Sequence, residues 1–188
     1  VRIYSCDPAE DKRYLSDLQA RLRDHARTRV ISPGGTDLTF LSREWTIYGR
    51  ELLTSPLEES AEGTIVADAS VYLGKVCSPI ILTIKKGRLI ELSCADPGDS
   101  VFCMYRDEVL NRLQLYPTDG QLAEVGLGGN TGAIVSGCIM EDESVRGTCH
   151  VCFGDNSRYG GVNYSSWHGA TAVVSHVQLE QYPTLETA

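Results

Sequence analysis

From Gln121 onward the chain breaks into short apolar stretches parted by glycines: QLAEVGLGGN, then GTCHVCFGDN, then RYGGVNYSSWHGATA. Runs of this length between turn-forming residues are strands, not helices. Three residues that can hold a metal or move a proton lie in them: Glu124, His150 and His168. Each sits near glycines that let backbone or ligand come close. Carboxylate and imidazole together are the donor types of a divalent metal site.

The remainder of the chain supplies helices and further strands. Residues 8–29 read as one helix, capped by Asp7 or Asp11, opened by Pro8, with Leu15, Leu18 and Leu22 at helical spacing. Pro33, Gly34 and Gly35 force a turn. Residues 38–48 alternate as extended chain, and GRELLTSPLEESAEG reads as a loop with an acidic middle. Residues 63–74 read as one strand, and 80–84 with 88–93 form a hairpin around KKG. Residues 99–115 repeat as a second amphipathic helix, stopped by Pro117, and residues 170–179 form the last strand. The expected class is α+β, a mainly antiparallel mixed β-sheet core with two substantial helices. At 188 residues the expectation is one domain, with 1–33 as a helical arm and 34–188 as the core.

Charge and composition exclude some functions. Lys and Arg number 17 against 25 Asp and Glu, a net charge of −8, which argues against a nucleic-acid phosphate backbone as partner. Arg21, Arg23, Arg27 and Arg29 alternate with Asp24 and His25 and read as a solvated helix face. No apolar run approaches the ~20 residues of a membrane span, and no segment is ordered like a signal peptide. A cytoplasmic protein without a membrane partner is expected. The seven cysteines are odd in number and irregular in spacing, so reduced buried thiols are expected. Cys149 and Cys152 flank His150, but a lone CxxC is weak evidence for a thiolate metal site. Glu141, Asp142 and Glu143 read as a solvated turn with Arg146 nearby, since three adjacent acids cannot face one ion on a regular element. Ser165 and Ser166 beside His168 lack an evident acid–base partner. Tyr159, Tyr164 and Trp167 occupy a glycine-rich loop where rings can hold an extended ligand.

The ordered series GTDLTF, GRELLTSP, EGTIVADAS, KKGRLIEL, AEVGLGGN, MEDESVRGTCHVCFGDN and YGGVNYSSWHGA resembles the carboxy-terminal core of the aminopeptidase T family of metallopeptidases. The 2,5-dihydroxypyridine dioxygenases share a related scaffold. The resemblance spans residues 34–178. It implies four metal ligands: Glu51 before the Thr-x-Pro turn, Glu124 before Gly-Leu-Gly, His150 after Gly-Thr, and His168 of a closing His-x-Asp pair. The Asp of that pair is Ala170 here, so the implied site lacks one anionic ligand. The resemblance also implies an amino-terminal domain over the cleft, for which the thirty or so residues before GTD leave room for only a helix.

Two losses point away from ordinary peptidase turnover. The favoured expectation is a non-hydrolytic binding protein with no cofactor, gripping a peptide or protein segment in the inherited cleft. One setting for it is the presentation of a precursor peptide to a modifying enzyme in ribosomal peptide natural-product biosynthesis. The alternative is a metal-dependent aminopeptidase or non-haem iron oxygenase, holding zinc, manganese or iron at Glu51, Glu124, His150 and His168. The resemblance further implies a homodimer.

Overall fold

The computed structural model describes residues 7–182. Its strands form two antiparallel sheets. One comprises β1 (Arg27–Ile31), β2 (Asp37–Leu41), β5 (Glu62–Ala67), β8 (Ile80–Lys85), β9 (Arg88–Cys94) and β13 (Gln178–Tyr182), in the order β13-β1-β2-β5-β8-β9. The other comprises β3 (Thr46–Tyr48), β4 (Glu51–Thr54), β6 (Ser70–Val71), β7 (Gly74–Lys75), β10 (Leu122–Gly128), β11 (Cys149–Gly154) and β12 (His168–Val174), in the order β3-β4-β10-β11-β12-β6-β7. Two substantial helices, α1 (Pro8–Arg21) and α2 (Ser100–Leu115), and a single turn, α3 (Ile139–Asp142), complete the α+β architecture.

The chain changes sheet repeatedly, and two of these crossings are from β5 to β6 and from β12 to β13. Both crossings lie beside Asp68, whose carboxylate accepts hydrogen bonds from the amide and hydroxyl of Ser175. One apolar core joins the sheets, drawing Val30, Phe40, Ile65 and Leu82 from the first and Leu52, Val125, Val151 and Ala172 from the second. Phe102, Tyr105 and Val109 of α2 close it. The hairpin around KKG is a two-residue turn in which Lys86 and Gly87 both have positive φ, the geometry that follows strand twist.

Several local expectations are corrected. The first helix, capped by Asp7 as expected, ends at Arg21, and Leu22 is already extended. Residues 27–31 alternate outward Arg27 and Arg29 with buried Thr28 and Val30, a period of two, and pair with β2 and β13. Arg29 therefore reaches Asp37 and Glu180 across neighbouring strands instead of lining a helix. The segment read as a loop contains β4, which pairs on both sides and is buried from Leu52 to Thr54. The strand expected over 63–74 divides at Asp68, and the one expected over 170–179 divides where His176 turns with φ of 53°.

Helix α1 is anchored by one buried acid. Asp11 is 1% exposed, meets Arg50 Nη1 at 3.0 Å, and accepts from the amide and hydroxyl of Thr131 at 3.2 Å. Arg146 lies at 3.8 Å from the same carboxylate and over the Tyr14 ring. Removing one side of a buried ion pair costs several kcal/mol. Asp11→Ala is therefore expected to lower stability by about 3 kcal/mol, read as a lower denaturation midpoint in urea with an unchanged slope.

Candidate metal centre

Strand register alone gathers the functional residues on one face. Side chains of directly paired residues share a face. Glu51 pairs with Gly128, Gly126 with His150, Glu124 with Cys152, and Gly154 with His168. Glu51, Glu124, His150, Cys152 and His168 thus project from the same side of β4, β10, β11 and β12. The opposite side carries Val125, Leu127, Cys149, Val151 and Phe153 into the core. Gly126 opposite His150 is required by space, since a Cβ there would overlap the imidazole ring.

Glu124 is the hub. It is 6% exposed, and its two oxygens serve different partners. Oε1 lies 3.0 Å from His150 Nε2; Oε2 lies 3.4 Å from His168 Nε2 and accepts from the Tyr159 hydroxyl. The other ring nitrogens are held by main chain: His150 Nδ1 is 3.3 Å from the Glu143 carbonyl and His168 Nδ1 is 2.7 Å from the Asp155 carbonyl. A carbonyl only accepts, so each Nδ1 carries a proton. In a neutral ring the remaining nitrogen then sets a lone pair against carboxylate lone pairs. Such contacts need a proton or a cation between them.

At His150 a proton is favoured. Burial alone would lower its pKa, but hydrogen bonding to Glu124, the Glu124 charge and the charges of Glu51 and Glu143 carry it up to about 9. Glu124 itself is held well below the usual carboxylate range; burial opposes this, and the hydrogen bonds from His150 and His168 overcome it. Burial raises Glu51 to about 7 against the attraction of His150, and raises Glu143 in the same sense. Both acids line a cavity of about 830 Å³ with Tyr48, Arg50 and Met140. A second cavity, of about 630 Å³, is bounded by Thr46, Tyr48, Leu53, Arg158 and Tyr159. Tyr48 belongs to both walls, so β3 stands between two openings beside the centre.

Of the residues singled out in the sequence, Glu124, His150, His168 and Tyr159 meet by direct hydrogen bonds. Glu51 stands on the same face and acts on His150 and Glu124 by charge. Tyr164 is 78% exposed. Trp167 packs against the core and lies under the Arg112 guanidinium, 5.5 Å from its ring. The acidic run is corrected: Glu141 and Asp142 are buried, with Asp142 accepting from the amides of Ser136 and Gly137 and Glu141 from the Ser136 hydroxyl. Arg146 turns instead to Glu10 and Asp11. Ser165 hydrogen-bonds Asp119, not His168. Cys152 enters the group unexpectedly. Its Sγ and the ligand atoms of Glu124 and His168 all lie within 4.8 Å of one another. The signal was present as a two-residue spacing, His150-Val-Cys152, which on a strand means one shared face.

The loop that delivers Tyr159 is held by Glu58. Its carboxylate accepts from the Val162 amide, the Asn156 side chain and Arg43, at 2.8, 2.8 and 2.5 Å. Burial would raise its pKa, but these bonds take it down to about 2. A depressed acid contributes stability that is complete above its unfolded value near 4.5 and is lost as pH falls through the folded value. Wild-type protein is therefore expected to lose stability between pH 4.5 and about 2 more steeply than Glu58→Gln, measured as melting temperature against pH.

No protein-family model and no curated protein matches the chain. Among solved structures, 2,5-dihydroxypyridine dioxygenase from Pseudomonas putida KT2440 superposes with a TM-score of 0.76 at 20% sequence identity. The match covers 91% of this chain and 56% of that one, so the chain spans little more than half the dioxygenase's length. The likeness establishes a dioxygenase-like fold; membership of the aminopeptidase T family is not shown.

Proposed function

We propose that this chain forms a divalent-metal centre of an enzyme on the dioxygenase-like fold, with ferrous iron as its first candidate. The observation that carries the reading is the contact between Glu124 Oε2 and His168 Nε2, whose ring is locked by the Asp155 carbonyl with this nitrogen facing the carboxylate. Carboxylate and imidazole donors on rigid neighbouring strands suit iron, zinc or manganese. Glu124 and His168 would hold the ion. His150, charged and buried against Oε1, would fix the carboxylate from behind. A ferrous ion bound there would supply dioxygen chemistry, the activity that the name of the similar solved protein indicates.

The chain's own groups have distinct tasks around such an ion. Tyr159 donates to Glu124 and forms part of the wall of the second cavity, so it orients the carboxylate beside the place a substrate would occupy. Glu51, held near 7 on the wall of the first cavity, can keep or release a proton at neutral pH. Among the described residues no helix is long and apolar enough to cross a membrane.

The test is anaerobic loading with ferrous iron, zinc and manganese, followed by elemental analysis. About one metal per chain is expected. Glu124→Gln and His168→Ala are each expected to weaken metal binding by more than about tenfold, the loss that even an outer-shell partner can cause. A wild-type chain that takes up no metal, or variants that keep it undiminished, would overturn the centre.

A second reading, a peptide-binding protein that does not hydrolyse its ligand, is favoured by β3. Among the described residues it is a three-residue edge strand, and Thr46, Ile47 and Tyr48 border the two cavities. An extended peptide can add to such an edge and lodge alternate side chains in flanking hollows. Calorimetric titration with unblocked peptides is expected to show saturable binding, weakened by Tyr48→Ala and unaccompanied by cleavage. Binding without dependence on Tyr48 would remove this reading.

A further inference from the structure

The metal centre of the preceding subsection is short of protein donors if it rests on Glu124 and His168 alone. We infer that Cys152 is its third ligand, binding as a thiolate, so that the ion sits among Glu124, Cys152 and His168. The inference rests on that centre and adds a donor class to it.

Geometry singles out this thiol. Cys152 pairs directly with Glu124 in the register of β10 and β11, so their side chains stand side by side. It is 4% exposed, shielded from solvent and from unrelated thiols. Its Sγ, a carboxylate oxygen of Glu124 and a nitrogen of His168 form the group of donor atoms within 4.8 Å of one another. The Thr171 hydroxyl lies 3.1 Å from Sγ and can donate to it, the contact that a metal-bound sulfur accepts from its surroundings. Cys149, three residues earlier, is turned to the opposite face and packs in the apolar core. The two thiols of the CxxC group thus cannot share one ion, and the motif is one ligand plus one core residue.

The chemistry is consistent in charge. One carboxylate and one thiolate balance a divalent ion, while the imidazole adds a neutral donor. On binding, the S–H bond breaks, the sulfur keeps the electron pair and forms the metal–sulfur bond, and the proton passes to solvent. Sulfur, nitrogen and oxygen donors in one site suit zinc or ferrous iron and disfavour magnesium or calcium.

The test uses the full chain with cobalt as probe. One equivalent bound to wild type is expected to give an intense thiolate-to-cobalt charge-transfer band in the near ultraviolet. Cys149→Ser is expected to keep the band. Cys152→Ser is expected to lose it and to bind cobalt at least about tenfold more weakly. X-ray absorption of the zinc-loaded wild-type chain is expected to show a sulfur neighbour at about 2.3 Å, a readout that needs no variant to fold. Cobalt bound without the band, or zinc with only nitrogen and oxygen neighbours, would overturn the Cys152 ligand and leave the Glu124–His168 centre standing. A band that survives Cys152→Ser would also overturn it. Failure to bind either metal would remove the centre itself and this ligand with it.

Discussion

A carboxylate buried among two imidazoles and a phenol organises this molecule. Glu124 cannot stay ionised out of water unless every oxygen is engaged. His150 and His168 take one oxygen each and Tyr159 joins the second. The imidazoles are in turn fixed by main-chain carbonyls at Glu143 and Asp155. The cost of burial is offset only when all these elements are in place. The order β10, β11, β12 and the loops at 143 and 155 are therefore coupled to one side chain.

Outer supports extend that coupling. Glu58, far in sequence, accepts directly from Asn156 and Val162 while Arg43 pairs with its other oxygen, and so places the loop that carries Tyr159. Asp11 ties α1 to Arg50, the residue before Glu51. Tyr105 of α2 donates to the Ala170 carbonyl at 2.7 Å, within β12. Each support is a polar bond from a buried or half-buried residue onto the strand or loop that carries a member of the centre. This is how an irregular loop reaches the precision of a strand.

What the sequence made legible follows physical rules. The KKG hairpin, α2 ending before Pro117, and the start of α1 at Asp7 and Pro8 depend on local chemistry, and they stand in the structure as expected. β4 was hidden because it is buried on both faces and shows no alternation. β1 was hidden because Arg27 and Arg29 carry the same charge pattern as a helix face, although their period is two. Glu141 and Asp142 look solvated in sequence and are buried, because amides of the 136–137 turn satisfy Asp142 from outside the acidic run. The convergence of Glu124, His150 and His168 is not available from spacing; register delivers it, and the loop held by Glu58 adds Tyr159. In sequence the missing carboxylate at Ala170 reads as a disabled site, and Cys152 reads as no more than half of a lone CxxC pair.

The bulge in β12 puts His168 and Thr171 on the face where register already places the Cys152 thiol. β11 and β12 pair in one register at Val151–Ala172 and in another at Phe153–Gly169, so Ala170 and Thr171 together oppose Cys152. In a regular strand His168 and Thr171, three residues apart, would point to opposite faces. The extra residue changes the parity between them. His168 stays with Gly154, Thr171 moves beside Cys152, and both end on the side that carries Glu124. The irregularity has a backbone cost, since Ala170 takes a φ of 50° that an L-residue with a Cβ disfavours by roughly 1–2 kcal/mol. The Tyr105 hydroxyl bonded to that same residue's carbonyl holds the strained turn closed. The bulge therefore brings the His168 imidazole and the Thr171 hydroxyl together onto the thiol's face, where a straight β12 would have divided them.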